Sequence, residues 1–87
     1  MIHKEKIENY SGSMEALAEE IGNLKYDALS NFLNLLADKI QNDGDKDERR
    51  GRVRLASPLH HCSEQLRACK LSIDEAWRIC EPYMREV

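Results

Sequence analysis

Residues 14–42 read MEALAEEIGNLKYDALSNFLNLLADKIQN, and the spacing of their apolar side chains decides the fold class. Projected at about 100° per residue, Met14, Leu17, Ala18, Ile21, Leu24, Ala28, Leu29, Phe32, Leu35, Leu36 and Ile40 fall on one side of a helix. Ser13 is placed to cap it, and no proline interrupts the pattern. The spacing predicts one helix over about 13–42, ending at the breaker Asn42-Asp43-Gly44. Such a helix is roughly 40 Å long. Ala18 and Gly22 lie a turn apart at the stripe's edge. Gly22 marks either a close approach of another helix or a local weakness worth about 1 kcal/mol.

Working outward, residues 1–12 are polar and end in Ser11-Gly12. They read as a tail that docks through Ile2, Ile7 and Tyr10. After the Asp43–Asp47 turn, Leu55, Leu59, Cys62, Leu66 and Cys69 alternate by four and three. This predicts a second helix over about 47–70, kinked near Pro58. The competing start is Ser57-Pro58, an N-cap followed by proline at the first helical position. Ser72-Ile-Asp-Glu75 is a capping box, and Ile73, Ala76, Trp77, Cys80 and Met84 form one face behind it. A third helix over about 72–85 is expected, ended or kinked by Pro82.

The architecture that follows is all-α. A long antiparallel helical hairpin carries a short C-terminal helix, in one helical domain over 13–87 behind the tail. The third helix is too short to cover the first. The three-helix protomer is therefore expected to form a dimeric bundle, a homodimer that hides the remaining apolar surface. Leu29, Phe32, Leu33, Leu36 and Ile40, where the stripe widens, are the candidate interface. Lys25 and Arg52 project from otherwise apolar stripes and are read as charges that specify partner register.

Composition bounds the function classes. The chain has 87 residues and a net charge of −3, which is enough for one core. Residues 1–45 carry four Lys and nine Asp or Glu, whereas residues 46–87 carry nine Lys or Arg and seven acids. That asymmetry suits pairing between helices or subunits better than nucleic-acid binding. No apolar run approaches the ~20 residues that span a bilayer. No secretory segment is recognised, and three cysteines (Cys62, Cys69, Cys80) cannot all pair within one chain. A cytoplasmic protein with no membrane contact is expected, its cysteines serving as small core residues.

Four constellations invite chemistry. Arg49, Arg50, Arg52 and Arg54, with Lys46 upstream, are candidate anion contacts, because spaced guanidiniums hold phosphates bidentately. No aromatic residue is interleaved for base stacking, and Asp47 and Glu48 partly neutralise the cluster. Asp43-x-Asp45-x-Asp47 imitates half a calcium loop, but Glu48 stands where that loop needs glycine and Arg54 where it needs a bidentate acid. His61 and Glu64 lie one turn apart, yet lack the matching set that helical metal sites use. Glu15, Glu19 and Glu20 invite comparison with magnesium-dependent all-helical nucleotide pyrophosphatases, but no second acidic pair follows on the next helix.

The reading is accordingly not an enzyme, with no catalytic residue, cofactor or metal assigned. A small helical protein–protein interaction or regulatory module is favoured, acting as a homo-oligomer with an unidentified protein partner. The alternatives are a nucleic-acid or phosphate-ligand binder through residues 49–54, and a metal-dependent hydrolase of the pyrophosphatase type.

Overall fold

The computed structural model describes residues 3–84, and among these every regular element is a helix: α1 (Met14–Gly22), α2 (Tyr26–Arg49) and α3 (Val53–Met84). The tail position Ile2 and the expected helix end at Arg85 lie outside the described residues. α2 and α3 form a long hairpin, the only extensive helix-to-helix packing present among the described residues. The short third element is α1, at the N-terminal end, rather than a C-terminal helix.

Three boundaries depart from the sequence expectation, and each departure has a local cause. The expected 13–42 helix breaks at residues 23–25. Ser13 caps α1 as expected, accepting from the Ala16 amide at 3.1 Å. α1 then ends at Gly22, and the Asn23 N–H donates to the carbonyls of Glu19 and Glu20. A Cβ at Gly22 would meet only open space, so this glycine is a weak point in the helix and not a contact. α2 restarts behind Lys25, whose side chain makes no cap bond. Asp27 in the first turn accepts the Ala28 N–H at 2.7 Å.

The expected stop at Asn42-Asp43-Gly44 is absent, because α2 runs through it to Arg49. Gly44 is buried, and a Cβ there would lie 2.6 Å from His60 Cδ2 and 3.3 Å from Leu59 Cβ. This glycine admits a neighbouring helix. The turn comes instead at Gly51, the one described residue with positive φ, at 79°. There the Gly51 N–H donates to the Glu48 carbonyl at 3.0 Å and the Arg52 N–H to Asp47 at 2.8 Å. This is the Schellman closure, which satisfies two end carbonyls and needs a left-handed residue.

The expected helices over 47–70 and 72–85 are one helix. α3 starts at Val53, neither at Asp47 nor at Pro58, and carries Pro58 and Pro82 inside it. The capping box does not cap. Its Asp74 bonds Lys70 and, across the hairpin, Ser30, while Glu75 pairs with Arg78 one turn on.

The hairpin closes on small residues. Ser30, Ala37 and Gly44 of α2 and Ala56 and Ser63 of α3 are buried, spaced seven apart on each helix. Ala37 is 0% and Ala56 2% exposed, and the Ser63 hydroxyl donates to the Ala37 carbonyl at 3.0 Å. A repeat of seven holds one seam of each helix against the other as they coil. Small side chains let the backbones approach closely. No large side chain is fully buried among the described residues. The chain is elongated, 53 × 30 × 14 Å, with a radius of gyration of 15.9 Å, where a compact chain of this length has about 12 Å.

These three glycines should respond differently to alanine in chemical denaturation. Gly22→Ala is expected to stabilise by up to about 1 kcal/mol through helix propensity. Gly51→Ala should destabilise by about 1–2 kcal/mol, from left-handed strain. At Gly44 the propensity gain of about 1 kcal/mol is outweighed by overpacking of about 1–3 kcal/mol, so Gly44→Ala should be net destabilising. A stabilising Gly44→Ala would contradict the close approach described above.

Candidate functional site

The seam divides the hairpin into two unlike faces. Relative to Ala37, the α2 residues Leu33, Leu36 and Ile40 lie on one flank, and Asn34, Asp38 and Gln41 on the other. Relative to Ser63, the α3 residues Leu59, Cys62 and Leu66 occupy the first flank, and His60, Glu64 and Arg67 the second. The offsets are the same on both helices. Two antiparallel helices are related by a two-fold axis perpendicular to the hairpin plane, so equal offsets share a face.

One face is therefore apolar, carrying Leu29, Leu33, Leu36 and Ile40 from α2, with Phe32 at its edge. From α3 it carries Leu55, Leu59, Cys62, Leu66, Cys69 and Ile73. Much of it stays open to solvent: Leu36 is 37% and Leu55 48% exposed, and Cys62 and Cys69 are exposed free thiols. Within one chain Cys62 and Cys69 are thus exposed and not the core residues expected. α1 and the segment before it return beside α2 without close packing. Tyr10 fastens that segment to α1 by donating to Glu20 at 2.9 Å, which raises the Tyr10 pKa.

The other face is polar and holds the two helices in register. The Arg67 guanidinium reaches Asn34 at 3.0 Å, Asp38 at 2.9 Å and Gln41 at 2.7 Å. His60 Nε2 lies 2.9 Å from Asp45 Oδ1. Toward the open end of the hairpin, Asp74 accepts from Lys70 at 2.7 Å and from the Ser30 hydroxyl. The Lys70 bond, and then the Ser30 bond, hold the Asp74 carboxyl below its ordinary range. Asp43, bonded by Lys39 through both oxygens at 2.7 Å, is held low in the same way.

The remaining expected positions are distributed as follows. Lys25 precedes α2 at the chain break and Arg52 lies in the hairpin turn, both exposed. Arg52 pairs with Asp47 at 3.4 Å. Neither projects from the middle of an apolar stripe, because the helices that gave them that phase do not run through them. Arg49, Arg50, Arg52 and Arg54 are all exposed and gather at the hairpin tip. Glu15 and Glu19 lie exposed on α1.

One grouping was not anticipated. Asp45, Glu48 and His60 bring a ligand atom each to within 4.8 Å of one another, the one such group of three among the described residues. The sequence pointed to His61 with Glu64, on a single helix. The two carboxylates come from α2 and the imidazole from α3, so only the hairpin register assembles them.

No family model, curated protein or solved structure matches the chain.

A carboxylate held low in the folded chain adds stability above its ordinary pKa of 3.8. That contribution is lost as pH falls through the lowered value. Asp74→Asn is expected to be less stable than the parent at neutral pH, and the two should converge as the pH drops below ~4. Denaturation curves across that range check this; a gap that persists unchanged in acid would assign Asp74 a role other than its charge.

Proposed function

We propose that the chain is a non-enzymatic helical association module whose apolar hairpin face seats a second copy of itself, forming a two-fold four-helix bundle. The observation that carries this reading is the amount of surface left open. A compact chain of 10.1 kDa has about 5,300 Å² of accessible surface, whereas this one has 7095 Å². The excess of about 1,800 Å² falls within a protomer's share of an obligate homodimer interface, about 1,000–2,500 Å². Part of this open surface is the face carrying Leu36, Leu55, Cys62 and Cys69, all of them exposed. Burying apolar area is the largest favourable term open to such a chain.

Charge favours one orientation of the two copies. The hairpin tip collects Lys46, Arg49, Arg50, Arg52 and Arg54 beside Asp45, Asp47 and Glu48, a net positive balance, while the opposite end carries Asp27, Asp74, Glu75 and Glu81 beside Lys25, Lys70 and Arg78, a net negative one. Packing the copies head to tail sets the basic tip against the acidic end, whereas tip against tip would crowd ten basic side chains. The leading interface residues are Leu29, Leu33, Leu36 and Ile40. Protein partners beyond the second copy, and a cytoplasmic location, belong to the same reading.

The exposed arginines of the tip also suit a phosphate-bearing ligand, and this second reading makes a different demand. Electrostatic retention on heparin that fades steeply with salt is its signature.

Light scattering across a dilution series should give twice the 10.1 kDa chain mass, dissociating only at low concentration. Leu36→Glu with Leu55→Glu should yield a helical monomer, since both residues are exposed in the protomer. Thiol labelling of Cys62 and Cys69 should slow as the dimer forms. A parent chain that stays monomeric at high concentration would end this proposal.

A further inference from the structure

The geometry points to a divalent transition-metal site formed by Asp45, Glu48 and His60 on the polar face near the hairpin tip. An imidazole with carboxylates is the donor set of zinc and its first-row neighbours; magnesium and calcium take oxygen alone. The separation of His60 Nε2 and Asp45 Oδ1, 2.9 Å, matches the edge between two ligands on one ion. Donors about 2.1 Å from an ion lie roughly 3.0 Å apart in octahedral geometry and roughly 3.4 Å apart in tetrahedral geometry. Glu48 stands one turn beyond Asp45 on α2, and all three donors fall within 4.8 Å. A rotation of the exposed Glu48 side chain toward the Asp45–His60 pair closes the set.

A second observation concerns how the His60 ring is held. Gly44 is buried in the interior of α2, and a Cβ there would strike the His60 ring, at 2.6 Å from Cδ2 and 2.8 Å from Nε2. Glycine at that position is a poorer helix former than alanine. What it permits is the imidazole lying directly across α2 with Nε2 at Asp45. Packing thus fixes the ring before any ion arrives, which is how a preorganised ligand differs from a surface histidine. Beside it a hollow of about 200 Å³, lined by Gln41, Asp45, His60, Ser63, Glu64 and Arg67, leaves room for water or a further ligand. Glu64 follows His60 by one turn on α3 and lines that hollow as a fourth oxygen source.

The Arg67 guanidinium, which lines that hollow, is already engaged by Asn34, Asp38 and Gln41. An ion held here clips α2 to α3 within a single chain. It lies on the face opposite the apolar surface, so the site does not depend on dimer formation.

The test uses the full chain freed of metal and titrated with Co²⁺, read by visible absorption, and with Zn²⁺, read by calorimetry. One ion per chain is expected, with micromolar affinity and a rise in melting temperature. His60→Gln and Asp45→Asn should each weaken binding by about 30-fold or more, and Glu48→Gln by about tenfold. Gly44→Ala keeps every donor but displaces the ring, and should weaken binding as well. His61→Gln and His3→Gln should bind as the parent does. Circular dichroism tests the fold of each variant, and the exposed Glu48 gives a substitution that leaves the hairpin packing untouched. Absence of a Co²⁺ spectrum at millimolar metal, or binding equally strong in His60→Gln or Glu48→Gln, overturns the assignment. Loss of binding in His61→Gln does so too.

Discussion

The close approach of α2 and α3 along Ser30, Ala37, Gly44, Ala56 and Ser63 is the constraint from which the other features follow. Helices that meet through such small side chains leave no volume between them for leucine or phenylalanine. The large apolar residues are therefore displaced from the seam onto one flank of each helix. Because the helices are antiparallel, those flanks combine into one face. The seam itself contributes little burial, since a methyl or hydroxymethyl group removes only a small area from water. A hairpin closed in this way encloses no interior and leaves much of its apolar surface open.

A seam of small residues is also smooth. Shifted by one heptad in one direction, it would still set small groups against one another, so the seam alone does not fix the register. The polar face supplies it. Arg67 reaches three partners on α2, His60 meets Asp45, and Ser30 meets Asp74. A slip of seven residues would break all of these and leave the arginine without its acceptors. Directional polar contacts reject the wrong alignment more strongly than they stabilise the right one, the usual role of polar groups beside an apolar seam. Gly44 acts in the same sense, since its missing side chain fits only the turn of α3 that carries Leu59 and His60.

Helicity and the hairpin were legible because a period near 3.6 is a property of each segment alone. The boundaries were not, for reasons that differ from place to place. Ile21, Leu24 and Ala28 keep helical phase across the break at residues 23–25, so periodicity concealed it. Gly44 follows Asn42-Asp43 and looks like a turn, while Gly51 sits among arginines and looks like nothing. Glycine serves both left-handed turns and close helix contacts, and only the neighbouring helix shows which use is made. Ser72-Ile-Asp-Glu75 satisfies every local condition for a cap, but the apolar positions on either side are in helical phase, and Asp74 is taken by Lys70 and Ser30. The Asp45, Glu48 and His60 grouping required the register, which no single segment contains.

α1 is the one element of this chain able to compete with a partner for the open face. The break at residues 23–25 frees its direction, and Met14, Leu17 and Ile21 give it an apolar side. Length decides against it. Nine residues of helix extend about 14 Å, whereas α3 alone has 32 residues and extends about 48 Å. α1 alone therefore spans less than half of the hairpin's length. The proposed second copy of the hairpin would bring a pair of helices of matching length.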